Sequence, residues 1–473
     1  MEKQEAKWYE KASGKRQHKA ENSAKLAAKG ELKKQRREQK TEEKSKTGAK
    51  ADSRAKSTKP QAFKPKLKPR SSASSISMFN TKNLPAESIQ ILENFNKIVA
   101  ETRSLSGKQQ TLLPKQIKNL SHQLTDDRNS RRLGYMNDAG QISAYITYFM
   151  WWNLVRLTRL FANLPENSFT LNEDDICLDL GSGPLTVPCA LWLARPELRS
   201  KKLTFYVLDL SQNVLAAGEE IFLSITAKTI QKNQEPWKII RVKGPLGTAI
   251  RQKPSLITCA NVFNELAQTS EMQSDYLAKT YVADIEKYFE KDAASPQTVF
   301  IVEPGDPHSA RLVSLMRDSL LRRSFLPLSP CPHIHACPMA GRTTSSPNGK
   351  WCNFAFDTSD APRELLALSK NANLTKERAA LSFVLARRTP DAAQKDEKPS
   401  EQKMLELRVA SDFIKLPELH RSGCYCCSEI GLVLEVDVSN VRPQNGDLIK
   451  VKPPKNTDSL KTDKKSGALI LEI

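Results

Sequence analysis

The sequence predicts an α/β fold: a Rossmann-like, mostly parallel sheet with helices over both faces, followed by a smaller Cys-rich, β-containing unit. Three observations predict it. The apolar run Ile176-Cys177-Leu178-Asp179-Leu180 passes straight into Gly181-Ser182-Gly183-Pro184, as a buried strand entering a glycine turn does. The run Val187–Ala194 then reads as a helix whose N-terminus faces the turn. Further short apolar runs end at Asp209, Asn261 and Glu303, separated by helical patterns, as in successive strand–helix units.

In chain order, residues 1–75 form a basic arm with little apolar content, expected to be disordered. The first 70 residues hold 23 Lys/Arg against 9 Asp/Glu, so +14 of the net +20 lies there. Such an arm suits electrostatic tethering to nucleic acid. Residues 76–165 read as a helical region. Order is expected from Ser77–Phe79, one helix from Ala86 to Arg103, a second from Leu112 to Leu124, and a third from Gln141 to Phe161. The third is apolar nearly all round, and its aromatics are expected in the core rather than on a base-stacking surface. Arg131, Arg132 and Tyr135 precede it and are candidates for a pocket mouth.

The Rossmann-like domain is expected over 166–325. Its strands are 176–180, 203–208, 237–242, 255–260 and 298–302. Ser211 is placed to cap the helix starting at Gln212, and Ser309–Arg322 closes the unit as a helix. Loops at the C-terminal strand ends converge, so Gly181, Asp209, Asn261 and Glu303 should meet in one crevice. Residues 326–440 form the Cys-rich unit, with strands at Phe383–Ala386 and Leu432–Val436 and a polar loop at 390–403. Residues 441–473 read as a C-terminal tail, with a flexible basic linker over 452–466.

The glycine turn favours S-adenosylmethionine over a dinucleotide. A Gly-x-Gly-x-x-Gly fingerprint needs glycine at 186, and Thr186 stands there. Asp179, Gly181, Ser182, Gly183 and Pro184 are candidate cofactor residues on the turn, with Asp209 for the ribose, Ser211 beside it, Asn261 near the methyl group and Glu303 at the last strand end. No catalytic residue is legible. Neither an Asn-Pro-Pro-Tyr signature nor a catalytic-cysteine signature for base methylation is present.

No secretory signal opens the sequence, and the Lys-rich, Glu-containing arm does not read as a mitochondrial presequence. The most apolar run, Ala144–Phe161, contains Asn153, Arg156 and Arg159 and falls short of the ~20 apolar residues of a membrane span. A cytoplasmic monomer with no membrane partner is expected. Its nine cysteines are then reduced, and clustered ones suggest a metal. Cys177, Cys189 and Cys259 lie in apolar runs and read as core thiols. Cys331, Cys337, Cys352 and the Cys424-Tyr425-Cys426-Cys427 group could supply four ligands to zinc or to an iron–sulfur cluster. His333 and His335 are further candidates for zinc.

Taken together, Leu178-Asp179-Leu180-Gly181-Ser182-Gly183-Pro184, Val302-Glu303-Pro304-Gly305, Cys331-Pro332-His333 with Cys337-Pro338, Trp351-Cys352-Asn353-Phe354 and Arg421-Ser422-Gly423 resemble the small-ribosomal-subunit assembly methyltransferase-like family of mitochondria and bacteria. The resemblance covers roughly residues 85–440. It implies a class I S-adenosylmethionine-dependent methyltransferase fold, a [4Fe–4S] site, and binding to the small ribosomal subunit or its rRNA. It places cluster ligands at Cys331, Cys337 and Cys352, with Cys427 as the fourth, and a mitochondrial location if the source is eukaryotic. Relatives often carry Gly-Pro-Gly where this chain has Gly183-Pro184-Leu185, which implies looser cofactor contact.

Overall fold

Two sheets organise the chain, and the sequence predicts the strands of the first better than their membership. The structure is a computed structural model that describes residues 75–473 apart from 126–135, 137, 233, 269, 342–348, 391–403, 418–419 and 438–441. The basic arm, Arg131, Arg132, Tyr135 and nearly all of the expected 390–403 loop therefore lie outside the described residues.

The first described element is β1 (Ser75–Ile76). The helix predicted over 86–103 is two, α1 (Ala86–Glu93) and α2 (Phe95–Thr102), broken at Asn94. The Asn94 side chain donates to the Gln90 carbonyl, a local bond that competes with helix continuation. α3 (Gly107–Thr125) starts earlier than predicted. The third predicted helix is continuous but composite: α4 (Ala139–Ala144), a π-helical turn at Tyr145–Met150, and α5 (Trp151–Asn163). Asp138 caps it by accepting from the Gln141 N–H. Tyr148, Trp151, Trp152 and Phe161 are buried in the main core as expected, whereas Tyr145 and Phe149 are half-buried.

The first sheet follows. Its elements are β2 (Ile176–Leu180), α6 (Thr186–Ala194), β3 (Thr204–Asp209), α7 (Gln212–Thr229), β4 (Lys238–Lys243), β5 (Leu256–Ala260), α8 (Phe263–Gln268), α9 (Ser274–Glu286), β6 (Gln297–Pro304) and α10 (Pro307–Leu321). β7 (Leu326–Ser329), β8 (Phe354–Asp357), α11 (Arg363–Asn371) and β9 (Arg378–Arg388) complete it. The order is β4-β3-β2-β5-β6-β9-β7, with β8 also on β9. β2 to β6 are parallel, and their chain order reads 3-2-1-4-5, the doubly wound pattern with its switch point between β2 and β5. Side chains alternate across β2. Cys177 joins the core shared with α5, α6 and α7, while Leu178 and Leu180 join the core on the opposite face, which includes residues of α9 and α10.

The expected boundary at 325 does not hold. Phe383–Ala386, assigned to the Cys-rich unit, lies in β9, which pairs antiparallel with β6 from Gln297↔Arg388 to Pro304↔Leu381. An apolar run shows that a segment is a strand but not which sheet it joins.

The second sheet contains β10 (Leu405–Val409), β11 (Ile414–Leu416), β12 (Arg421–Ser428), β13 (Gly431–Val436), β14 (Leu448–Val451) and β15 (Leu469–Glu472). Its order is β1-β14-β10-β12-β13-β15, with β11 on β12. The C-terminal stretch is thus not a tail: it supplies β14 and β15. The segment expected to be a flexible linker is the loop joining them, and Asp463 pins its base. That carboxylate accepts from the Ser466 N–H and hydroxyl and from the Tyr425 hydroxyl. Among the described residues no helix is long and apolar enough to cross a membrane.

Candidate cofactor site and cysteine centre

The turn after β2 is built from left-handed backbone. Gly181 has φ +63°, and a Cβ there would lie 2.4 Å from Val262 Cγ2. Gly183 has φ +51°, and its N–H donates to Asp209 Oδ2 at 3.0 Å. The Ser182 N–H donates to the Leu208 carbonyl and its hydroxyl to the Asp179 carbonyl, fastening the turn to both strands. Leu185, where relatives often carry glycine, also takes φ +58°. The backbone therefore follows the path a glycine would take.

Two effects compete at Leu185. A left-handed non-glycine residue costs about 1–2 kcal/mol, but its fully buried side chain stabilises by about 1.5–3 kcal/mol. Leu185→Ala should therefore lower unfolding free energy by about 2–4 kcal/mol. Leu185→Gly should lower it by about 1 kcal/mol less, because it removes the strain as well as the side chain. Urea denaturation of both variants checks the ranking; a more stable alanine variant would contradict the strain.

The strand ends enclose a cavity of about 200 Å³. Five predicted cofactor residues line it: Gly181, Gly183, Asp209, Ser211 and Asn261. Asp209 accepts from the Gly183 and Ser211 N–H groups, and burial pushes its carboxyl up while those amides pull it down. A carboxylate has about four lone-pair sites, which leaves acceptor capacity for ribose hydroxyls. The Ser211 hydroxyl donates to the Met136 carbonyl and accepts from the Val214 N–H, capping α7 as expected. Asn261 has φ +58° and hydrogen-bonds through its N–H to the Val302 carbonyl. Met136, Tyr145 and the Gly244–Leu246 turn also line the cavity and were missed, because they arrive from separate elements and carry no motif.

The other four predicted residues do not line it. Ser182 and Pro184 shape the turn; a Cβ on Gly218 of α7 would meet the Pro184 backbone at 2.4 Å. Glu303 is 0% exposed. Its carboxylate accepts from the N–H groups of Val262, Phe263 and Asn264, so it holds the Asn261 loop. Burial pushes it up to about 8. Asp179 is 1% exposed; its Oδ1 accepts from the hydroxyl of Thr258, its neighbour on β5, at 2.6 Å, and its Oδ2 has no partner among the described residues.

Burial raises Asp179 to about 7, against an unfolded value near 4. The native state then holds more protons than the unfolded state between those values. Stability contributed at Asp179 is present below about pH 4 and falls by about 1.4 kcal/mol per unit as pH rises towards 7. Asp179→Asn should flatten the stability–pH curve between pH 5 and 7, as measured by urea denaturation at each pH. An unchanged slope would contradict the raised value.

The cysteines divide by face. On β12, Cys424 and Cys426 point into the interior of the second sheet, whereas Cys427, one residue on, points with Tyr425 into the core shared with the first sheet. The period of two in a strand sends the three thiols to two faces. Cys427 stands near Cys331, Cys337 and Cys352, close enough that each thiolate would oppose ionisation of others. Burial is the larger cause and pushes all four up, Cys331 to about 11. Two arginines hold this region. Arg317 donates to the carbonyls of His333 (2.7 Å) and His335 (2.6 Å), and Arg408 to those of Pro330 (2.9 Å) and Gly446 (2.8 Å). His333 Nε2 lies 3.0 Å from Cys427 Sγ. Among the described residues no three His, Cys, Asp or Glu side chains are grouped as a single metal ion requires.

Solved structures to which the chain is similar include precorrin-6y C5,15-methyltransferase of Geobacter metallireducens (8% identity, 47% of this chain and 83% of that one, TM-score 0.27). Others are a TehB-like S-adenosylmethionine-dependent methyltransferase of Corynebacterium glutamicum (11%, 59% and 100%, 0.24) and an S-adenosylmethionine-dependent methyltransferase of Geobacter sulfurreducens with S-adenosylhomocysteine (11%, 57% and 98%, 0.26). The strand order makes the sheet a doubly wound, Rossmann-like one. No curated protein matches the sequence significantly. A family model described as mitochondrial small ribosomal subunit Rsm22 matches residues 153–415, more than half of the 473, from α5 through β11. The chain belongs to the Rsm22 family.

Proposed function

We propose that this chain binds S-adenosylmethionine in the strand-end cavity and acts, as a monomer, on the rRNA of the mitochondrial small ribosomal subunit during assembly. One observation carries the reading: the left-handed Gly181–Gly183 turn is tied through its own amide to the Asp209 carboxylate, which lines the same cavity. The cofactor supplies a methyl group activated on a sulfonium. Gly181 and Gly183 let its chain approach the backbone, Asp209 and Ser211 serve the ribose, and Asn261 faces the methyl end. Transfer needs positioning more than acid–base chemistry. The second reading is an assembly factor that binds the cofactor without transferring its methyl group.

We further propose a [4Fe–4S] cluster on Cys331, Cys337, Cys352 and Cys427. The four thiols are neighbours, Cys427 buried and the other three half-buried, and such thiols ionise when a metal binds them. A cluster spaces its thiolates more widely than one zinc ion does, and the Arg317 and Arg408 guanidiniums offset its negative charge. In anaerobic preparations Cys427→Ser should lose most of its iron and sulfide, while Cys424→Ser and Cys426→Ser keep theirs. Zinc without iron in the wild type would replace the cluster. For the reaction, rRNA methylation is compared between wild-type and deletion strains: a lost methyl group supports transfer, and unchanged methylation with stalled small subunits supports the second reading. Absence of heat on titrating S-adenosylmethionine into the protein would remove the cofactor.

A further inference from the structure

The connectivity of the second sheet points to a nucleic-acid-binding module. β10, β12 and β13 form an antiparallel meander; β14 returns beside β10, and β15 returns parallel to β13. β10 and β11 act as one strand bent at Ala410–Phe413, since both pair with β12. A five-strand meander whose fourth strand pairs the first and whose fifth runs parallel to the third is the order of an OB-fold. Its interior is filled by Leu405, Leu407, Val409, Val433, Ile449 and Leu471.

OB-folds bind oligonucleotides on the outer face of strands two and three and on the loops between strands one and two and strands four and five. Here the outer face is closed. Tyr425, Cys427, Leu434 and Val436 belong to the core shared with the first sheet. The loop between β14 and β15 stays open. It carries Lys452, Lys455, Lys461, Lys464 and Lys465, all exposed, against Asp458 and Asp463. Asp463 is spent on pinning the loop, and the Ile470 N–H donates to the Lys461 carbonyl, so the lysines project from a fastened base.

We infer that this loop takes the phosphodiester backbone of single-stranded RNA. The inference rests on the proposal that rRNA is the partner, and it assigns the contact to the OB module rather than to the cofactor domain. No exposed aromatic side chain lies on the loop, so binding reads backbone charge and depends steeply on salt.

The test uses the full chain and a labelled single-stranded RNA of about 12 nucleotides, within the span of one OB module, by fluorescence anisotropy. A variant with Lys452, Lys455, Lys461, Lys464 and Lys465 changed to Gln is compared with one carrying the same five charges removed at Lys97, Lys115, Lys118, Lys291 and Lys370. The loop variant should bind at least about tenfold more weakly and lose about two units of log–log salt slope; the control should shift less than about threefold. Equal losses in the two variants would overturn the inference, as would a duplex of the same sequence binding as tightly as the single strand. A wild-type chain that binds neither RNA would instead remove the rRNA proposal itself.

Discussion

Glu303→Ala should lower unfolding free energy by roughly 4–6 kcal/mol, the largest stability effect expected of any single substitution at the site. Each buried donor left without an acceptor costs about 1–3 kcal/mol, and the change orphans three, on Val262, Phe263 and Asn264. Native domains hold only about 5–15 kcal/mol in total, so this variant should be largely unfolded or sharply lowered in denaturation midpoint. Glu303→Gln keeps one acceptor oxygen but turns an amide N–H₂ towards the loop, and should fall between the two. Urea unfolding followed by tryptophan fluorescence checks the series. An alanine variant within about 1 kcal/mol of wild type would mean that water replaces the carboxylate, and that the strand end is not held as described.

Gly181→Ala should abolish cofactor binding, with S-adenosylhomocysteine affinity in calorimetry falling by a factor of about 100 or more. The new Cβ meets Val262 Cγ2 at 2.4 Å and Cγ1 at 3.3 Å. Val262 cannot step aside easily: it is β-branched, and its own N–H is bonded to Glu303. The turn must move instead, and it is the turn that lines the cavity. Two controls separate this clash from general strain. At Gly183, also left-handed, a Cβ meets no atom within 4 Å, so Gly183→Ala should cost only the conformational penalty of about 1–2 kcal/mol. Val262→Ala combined with Gly181→Ala should recover part of the lost affinity. If the double variant binds no better than Gly181→Ala alone, the contact with Val262 is not what excludes alanine.

Much of the first sheet was legible because its signals are local. Each of the five parallel strands lies within a residue or two of its predicted place, and the Ser211 cap forms as read. Sheet membership was not legible. Arg378–Arg388 and Leu469–Glu472 look like any apolar strand, and only long-range pairing assigns one to β6 and the other to β13. The site divides in the same way. Residues on the turns, such as Gly181 and Asp209, reach the cavity because backbone geometry carries them there. Asp179 and Glu303 do not line the cavity, because an acid beside a strand end has two uses and these two are engaged with Thr258 and with the amides of the Asn261 loop. The alternation of side chains along β12 separates Cys427 from Cys424 and Cys426.

The second sheet draws strands from places far apart in the chain: Ser75 lies opposite Ile449 in β1 and β14, and Val433 beside Leu469 in β13 and β15. Synthesis proceeds from one end, so β13 waits with an unpaired edge until residue 472 has been added. A nascent chain halted between 436 and 468 would expose that apolar edge to other strands, a hazard for aggregation that β6 of the first sheet shares while it waits for β9.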